Sequence, residues 1–265
     1  MECVSFLIRP HIHNINIASW NVNGARTKLE KPLVQKFLYQ FDLIGLSEIK
    51  TDLPVSLPGY VSYKSTVSGG THKGGTALLI KHSLKKSLIN VDTGIEGQVW
   101  VRLSCAPDIM FGFVYIPPSD SPYFNSALIS AVQEKVKTAS CNTEFIIIGD
   151  MNARFGASVR DWITCIDVPD VHKYMYPIIN DSVRVPNDNA SAISAICVDM
   201  KLIVINNLQI FDQHFKSNLT YRSGADWKSE LDICISSPNV IKYLCNFNVW
   251  QDVSSNFSDI VPLYE

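Results

Sequence analysis

Short apolar runs that end at an acidic or amide side chain are the main pattern along this chain. The clearest run is residues 145–148, which is followed by Gly149, Asp150 and Asn152. A run of this length with such a stop predicts a buried strand, and the polar side chains then lie where the strand leaves the core. Taken alone, the pattern favours an ordinary strand followed by a turn, because Asp and Asn are frequent in turns.

The repetition of the pattern changes this interpretation. Other strand-like segments bring polar side chains to strand ends in the same way: Asn21 and Asn23 after residues 15–20, Glu48 after residues 41–47, Tyr115 after residues 110–114, and Asp232 at the start of a late apolar run. Several carboxylates and amides at one edge of a sheet would form a site for a hard cation and a phosphate, since Mg²⁺ prefers oxygen ligands and keeps several waters.

The remaining periodicity predicts more strands and two helices. Further strands are expected at residues 76–80, 99–103, 234–235 and 247–250. Apolar positions at helical spacing predict an amphipathic helix over residues 124–139 and a second helix over residues 190–204. Together these elements predict an α+β sandwich in which two sheets pack together and helices cover the outside.

The composition indicates one large globular domain. The chain has 265 residues, of which 46% are hydrophobic and 18% charged, so it can bury a sizeable core. We expect residues 14–265 to form this domain and residues 1–13 to be a leader. Residues 4–8 are mostly apolar, but no basic region precedes them and no small-residue cleavage site follows, which argues against a signal peptide and a membrane span.

The charge balance restricts how nucleic acid could bind. A formal net charge of −2 gives no global positive field, so any binding must come from a local basic face. Three groups of basic residues are candidates for such a face: Lys81 with His82, Lys85 and Lys86; Arg154 with Arg160; and Arg222 with Lys228. The last group is favoured because it lies just before Asp232.

Seven cysteines, an odd number without a Cys-x-x-Cys spacing, argue against a disulfide framework and a zinc site. We therefore expect reduced thiols and an intracellular protein.

Five short motifs occur in a fixed order along the chain: SWNVNG at residues 19–24, LSEIK at 46–50, YIPPS at 115–119, GDMNA at 149–153 and SELD at 229–232. This series resembles the endonuclease/exonuclease/phosphatase superfamily. Within it, the chain is similar to the apurinic-endonuclease-like domain of non-LTR retrotransposons, through RVPND at 184–188, INNL at 205–208 and TYRSG at 220–224. The resemblance runs from about Asn14 to Pro262 and implies a four-layer α/β/β/α sandwich.

The resemblance also implies a metal site. Glu48 would be the principal ligand of Mg²⁺, with Mn²⁺ as the alternative, and Asn23 and Asp259 would lie nearby. Asn23 stands where the DNA-repair members of the superfamily have a carboxylate, so this metal site would carry one negative charge less.

The same resemblance implies roles in phosphodiester hydrolysis. Asp150 would orient or deprotonate the attacking water, and Asn21 and Asn152 would hold the water and the phosphate. Tyr115 would donate to a phosphate oxygen as charge develops there. DNA would be the substrate, contacted by the three basic residues Arg222, Lys228 and Arg154.

The last motif departs from the family pattern. The family ends in Ser-Asp-His, whereas this chain has Ser258, Asp259 and Ile260. Ile260 cannot donate, accept or carry charge, so Asp232 would lose the histidine that it orients in the family. Because a positioned acid/base group contributes roughly 10²–10⁴-fold to a rate, we expect an impaired enzyme.

Two functions remain open after this departure. One is a Mg²⁺-dependent phosphodiesterase that nicks DNA inefficiently, and the other is a catalytically decayed or repurposed nucleic-acid-binding domain. A phosphatase of lipids or inositol phosphates is less favoured, because the middle of the chain resembles the retrotransposon branch.

The sequence stops at Glu265, where relatives continue into a reverse transcriptase domain. We therefore expect that domain to be absent here, and the isolated domain to be a monomer in the nucleus that does not bind membranes.

Overall fold

The computed structural model describes most of the chain and leaves the C-terminal end undescribed. The described residues are 3–8, 14–65, 74–104, 108–139, 142–155, 186–207, 221–223, 226–229 and 231–250. Arg160, Asp259 and Ile260 lie outside these ranges.

The first sheet has six strands among the described residues. Their spatial order is β14 (Leu244–Trp250), β1 (Cys3–Ile8), β2 (Ile15–Asn21), β3 (Leu43–Ser47), β5 (Thr76–Lys81) and β4 (Tyr60–Ser65). β2 and β3 run parallel, and the other neighbouring strands run antiparallel. Because β2 and β3 are parallel, the residues that follow Asn21 and Ser47 leave the sheet at the same edge.

The second sheet, within the same described ranges, also has six strands. Their order is β10 (Ile203–Val204), β13 (Asp232–Ser236), β9 (Glu144–Asp150), β8 (Ile109–Val114), β7 (Gln98–Leu103) and β6 (Leu88–Asp92). β8 and β9 are the parallel pair of this sheet, and Asp150 at the end of β9 lies opposite Asp232 at the start of β13.

Helices cover the outer faces of the two sheets. α1 (Arg26–Leu29) and α2 (Pro32–Leu38) contribute to a core with one face of the first sheet, which includes Phe37 and Trp20. α3 (Ala127–Thr138) and α4 (Asp188–Met200) join the larger core, which also contains the inner faces of both sheets. The fold is therefore the expected four-layer α/β/β/α sandwich.

Short elements complete the described part of the chain. The strands β11 (Tyr221–Ser223) and β12 (Asp226–Ser229) pair as an antiparallel hairpin, and 3-10 helices occupy His82–Ser87, Ile205–Asn207 and Pro238–Tyr243. No helix within the described ranges has both the length and the apolar character that crossing a bilayer requires.

The interpretation of residues 1–13 as a leader is wrong for Cys3–Ile8. These residues form β1, which pairs with β2 on one side and with β14 on the other. All six residues are buried. A strand inside a sheet is held by hydrogen bonds on both edges, so β1 is an integral part of the sandwich.

The helix expected over residues 190–204 is shorter at its C-terminal end. α4 ends at Met200 because Lys201 adopts a left-handed conformation, with φ of 54°. Ile203 and Val204 then form β10 and pair with β13. The helix expected over residues 124–139 begins at Ala127 and ends at Thr138.

Candidate active site

A polar site lies where the parallel strands of the two sheets end. Asn21 ends β2, and its side-chain nitrogen Nδ2 lies 3.0 Å from Oε1 of Glu48 and 2.7 Å from Oδ2 of Asp150. Glu48 follows the first sheet's β3, and Asp150 ends the second sheet's β9. Asn21 therefore links the carboxylates of the two sheets through one amide group.

Glu48 is the more exposed of these carboxylates and is held in its ionised form. Its Oε1 accepts from Asn21 and, at 3.4 Å, from the hydroxyl of Tyr115. Its Oε2 lies 2.7 Å from Nζ of Lys50. Burial raises the pKa of Glu48, but the hydrogen bonds from Lys50 and Asn21 outweigh this effect and leave the pKa below its usual value. Glu48 is thus negatively charged at neutral pH and can attract a cation.

Asp150 is buried, with 5% of its surface exposed. Its Oδ1 accepts from the backbone N–H of Asn152 at 3.1 Å, and its Oδ2 accepts from Asn21. Burial raises the pKa of Asp150 to about 7, although these two hydrogen bonds act in the opposite direction. A carboxylate that titrates near neutral pH suits a general base, because it can both take and release a proton at that pH.

Tyr115 follows β8 and lies beside both carboxylates. Burial raises the pKa of Tyr115 well above its usual value, and the negative charges of Glu48 and Asp150 raise it further. The hydroxyl therefore keeps its proton at physiological pH and acts as a donor. Asn152, at the other side of Asp150, donates from Nδ2 to the carbonyl of Ile116 at 3.0 Å, which ties the segment after β9 to the segment after β8.

Asp232 lies next to Asp150 in the second sheet. The two residues are direct partners in the antiparallel pair of β13 and β9, so their side chains leave the sheet on the same face. Asp232 is 4% exposed. Asn206 fixes this strand, because its amide donates to the carbonyl of Asp232 and accepts from the N–H of Cys234.

Lys50 was not singled out from the sequence, although it stands in the LSEIK motif. Its Nζ lies 2.7 Å from Oε2 of Glu48 and 2.6 Å from Oδ1 of Asn23. These two residues are the metal ligands that the resemblance implies in the described part of the chain. The ammonium group of Lys50 therefore holds the position between them.

The backbone around this site is strained. Among the described residues, five non-glycine residues have positive φ, and four of them are site residues: Asn23 at 40°, Glu48 at 51°, Lys50 at 47° and Asn152 at 46°. Each such conformation costs on the order of 1 kcal/mol or more and persists only where surrounding contacts enforce it. Such residues cluster at functional sites, and here they follow the three strands β2, β3 and β9, whose ends meet at the site.

The side chains of the site include oxygen donors suited to a divalent cation. Glu48 and Asp150 supply carboxylates and Asn21 and Asn23 supply amide oxygens, which match the oxygen preference of Mg²⁺. No group of three His, Cys, Asp or Glu side chains suited to a metal occurs in the described part of the chain. Mg²⁺ is commonly held by one or two carboxylates and several waters, so the residues present fit such a cation.

The residues expected to contact nucleic acid are only partly described. Arg154 is half-buried, and its backbone N–H donates to Oδ1 of Asn187 at 3.0 Å. Arg222 and Lys228 lie on β11 and β12, of which the backbone pairing is described. The structure thus brings together Asn21, Glu48, Tyr115, Asp150 and Asn152, places Asp232 beside them, and leaves the role of the basic residues as a prediction.

Asn187 and Asn189, at the start of α4, also contact the segments that carry site residues. Neither was identified as functional from the sequence. The RVPND motif contains Asn187 and was a signal for its importance, whereas Asn189 had no such signal.

The chain is similar to known proteins both in sequence and in fold. The model of the Endonuclease/Exonuclease/phosphatase family matches residues 18–190. A probable RNA-directed DNA polymerase from transposon X-element of Drosophila melanogaster is 33% identical over 147 residues, which are 52% of this chain and 15% of that protein. The chain thus spans a small part of that relative's length.

Solved structures share the fold at low sequence identity. An AP endonuclease from Leishmania major has a TM-score of 0.60 and 17% identity, with 88% of this chain and 81% of that chain covered. A 3′ phosphatase from Neisseria, solved with a product DNA hairpin, has a TM-score of 0.55 and 17% identity, with 85% and 88% covered. Because the family model matches well over half of the chain, this protein belongs to the endonuclease/exonuclease/phosphatase family.

Proposed function

We propose that this chain is a divalent-metal-dependent phosphodiesterase that nicks DNA. The observation that carries the proposal is the amide of Asn21, which joins the ionised Glu48 to the buried Asp150 across the two sheets. One carboxylate suited to a cation and one suited to a proton thus lie on either side of a single side chain. Family membership and the similarity to a transposon polymerase support a nuclease-type function.

In this proposal Asp150 is the general base. A water held near its carboxylate attacks the phosphorus, a new P–O bond forms, and the water's proton passes to Asp150. Asn21 and Asn152 each donate to one oxygen of Asp150, so the carboxylate stays fixed while it accepts the proton. Above a pH of about 7 the group is ionised and ready for this step.

Tyr115 and Glu48 act on the phosphate. The protonated hydroxyl of Tyr115 donates to a non-bridging oxygen, where negative charge grows as water attacks. Glu48 would hold Mg²⁺, with Asn23 beside it, and the cation would neutralise charge on the phosphate and on the leaving oxygen. The P–O bond to the departing sugar oxygen then breaks, and that oxygen takes up a proton from solvent. We expect this last step to be slow, because Ile260 replaces the family's histidine and supplies no proton.

The test is nicking of supercoiled plasmid by the purified chain. We expect slow nicking with Mg²⁺, none with chelator, and a loss of roughly 10²-fold or more in Glu48→Gln, because that variant lacks the charge that attracts the cation. Glu134→Gln is the matched control, since Glu134 is exposed on α3 away from the site. Nicking that persists in chelator, or that Glu48→Gln leaves unchanged, would refute the proposal.

A nucleic-acid-binding domain without turnover is the second candidate. It is favoured by Lys50, whose ammonium already neutralises Glu48 and contacts Asn23. With a net charge of −2, such binding would depend on a few local phosphate contacts and should weaken steeply as salt increases. Salt-sensitive DNA binding with no nicking at any Mg²⁺ or Mn²⁺ concentration would favour this candidate.

A further inference from the structure

Asn187, at the start of α4, contacts the segment that follows β9 through both ends of its side-chain amide. Oδ1 of Asn187 accepts from the N–H of Ala190 and from the N–H of Arg154, both at 3.0 Å. Nδ2 of Asn187 donates to the carbonyl of Asn152 at 2.7 Å. The backbone N–H of Asn187 also donates to the carbonyl of Arg154 at 3.2 Å. Asn187 is therefore both the N-cap of the helix and a clamp on the residues after Asp150.

A second amide in the same turn contacts both segments that carry site residues. Asn189 has no exposed surface, and its Nδ2 donates to the carbonyl of Pro117 and to the carbonyl of Met151, each at 3.0 Å. Pro117 follows Tyr115 by two residues, and Met151 follows Asp150. The helix start thus fixes the segment after β8 and the segment after β9 relative to each other.

Asn152 is the residue most affected by this arrangement. Its φ of 46° lies in the left-handed region, which an asparagine tolerates but does not prefer. Its N–H donates to Oδ1 of Asp150, and its carbonyl accepts from Asn187, so both peptide groups beside its α-carbon are fixed. A change at Asn187 would release one of these two groups.

We propose that Asn187 is a positioning residue that acts through Asn152 to hold Asp150 in its reactive orientation, with Asn189 as a second clamp. This inference rests on the proposed function, because it assigns Asn187 a part in presenting the general base. The alternative is that Asn187 only caps α4. The two roles differ in what they need from the side chain: the cap needs only the acceptor Oδ1, whereas the contact with Asn152 also needs the donor Nδ2.

Asn187→Ser separates the two roles. Serine caps helices about as well as asparagine, so α4 should keep its stability. The serine side chain is shorter and has one polar group, so its hydroxyl cannot reach the carbonyl of Asn152 while it accepts from the N–H of Ala190. Asn125→Ser is the matched control, because Oδ1 of Asn125 accepts from the N–H of Ala127 at the start of α3 and Asn125 is bonded to none of the site residues.

We expect Asn187→Ser to melt near the temperature of the unmodified chain and to lose about 10- to 100-fold in kcat with KM little changed, as for other small displacements of a reactive group. Asn125→Ser should match the unmodified chain in both properties. Independently of activity, amide hydrogen exchange at Asn152 should be roughly tenfold faster in Asn187→Ser, because the released peptide group no longer favours the Asn152 to Asp150 hydrogen bond.

The exchange measurement keeps this inference separate from the proposed function. If the unmodified chain nicks no DNA, the proposed function fails, and faster exchange at Asn152 still supports the clamp. Unchanged exchange and unchanged kcat in Asn187→Ser would show that Asn187 is only a cap and would overturn the inference. Should the serine variant fail to fold, Asn187→Asp retains the cap acceptor and lacks the Nδ2 donor, and the same two outcomes decide.

Discussion

Lys50 is the residue that most directly opposes cation binding at this site. Its ammonium contacts Glu48 and Asn23, and it is about one-third exposed, with 34% of its side-chain surface accessible. Because Asn23 is neutral, Glu48 is the carboxylate that pairs with this ammonium group, and position 23 adds no second negative charge. A divalent cation bound by Glu48 must displace the ammonium group, so Lys50 should set the affinity for metal.

The first prediction follows from that competition. Lys50→Met keeps most of the side chain's length and removes its charge, so Mn²⁺ should bind several-fold to about tenfold more tightly, which is the worth of one partly exposed ion pair. Isothermal titration calorimetry measures this without any need for turnover. Lys86→Met, at an exposed position in the 3-10 helix that follows β5, is the control and should not change the affinity. Weaker binding in Lys50→Met would mean that the lysine supports the metal site.

The second prediction concerns the pH dependence of Asp150. Its folded-state pKa of about 7 lies above its usual value of 3.8, so the folded protein favours the protonated form between these values. The resulting stabilisation is fully present below pH 3.8 and is lost as pH rises to 7. The melting temperature of Asp150→Asn relative to the unmodified chain should therefore be higher at pH 8 than near pH 4.

The nicking activity should also follow the titration of Asp150, but it should rise with pH where the stabilisation is lost. A base must be ionised to accept a proton, so kcat/KM should rise as pH increases towards about 7 and then level off. Stopped plasmid-nicking assays across this range, with thermal melts in the same buffers, measure both properties. If the difference in melting temperature between Asp150→Asn and the unmodified chain is the same at pH 4 and pH 8, burial does not raise the pKa of this carboxylate.

At the scale of elements, the sequence was sufficient to predict the strands β2, β3 and β9. It was not sufficient to predict that β1 belongs to the first sheet. The apolar runs before Asn21, Glu48 and Asp150 were sufficient to predict β2, β3 and β9, because a short buried strand has a clear local signal. β1 had a similar run, but its partner β14 lies at the other end of the described chain, and no local signal indicates such pairing.

Contacts between distant segments were also not predictable within the site. Strand ends and motifs identified Asn21, Glu48, Tyr115, Asp150 and Asn152 from local sequence. The clamp residues depend on partners far along the chain: Asn187 contacts Asn152, and Asn189 contacts Pro117. Periodicity also extended α4 to Val204, because the apolar residues of β10 continue the helical pattern beyond the left-handed Lys201.

The third prediction tests β1 as a structural element. A variant that begins at Asn14 removes β1 and exposes the edges of both β2 and β14. Since β1 also buries Val4, Phe6 and Ile8 in the larger core, we expect the variant to be insoluble or to lose its cooperative unfolding transition. Circular dichroism with thermal melting measures this. A soluble variant with an unchanged melting temperature would show that residues 1–13 are dispensable, as a leader would be.

At the scale of the whole molecule, the fold positions the strands, and a few residues at the strand ends of the site determine which chemistry is possible. The shared fold of the Leishmania and Neisseria enzymes does not by itself transfer their activities at 17% identity. What favours an enzyme here is the site itself, in which an ionised Glu48 and a titrating Asp150 share Asn21 as a donor. What weakens it is Ile260, which the sequence places after Ser258 and Asp259.

The most direct test of a site that is intact except at residue 260 is Mg²⁺-dependent plasmid nicking by Ile260→His, compared with the unmodified chain. If Asp232 and the rest of the site are intact, the new histidine should raise the nicking rate by roughly 10²–10⁴-fold, and Glu48→Gln in the same background should abolish the gain. A folded Ile260→His variant that is no faster than the unmodified chain would contradict the account, because the site would then lack more than one group.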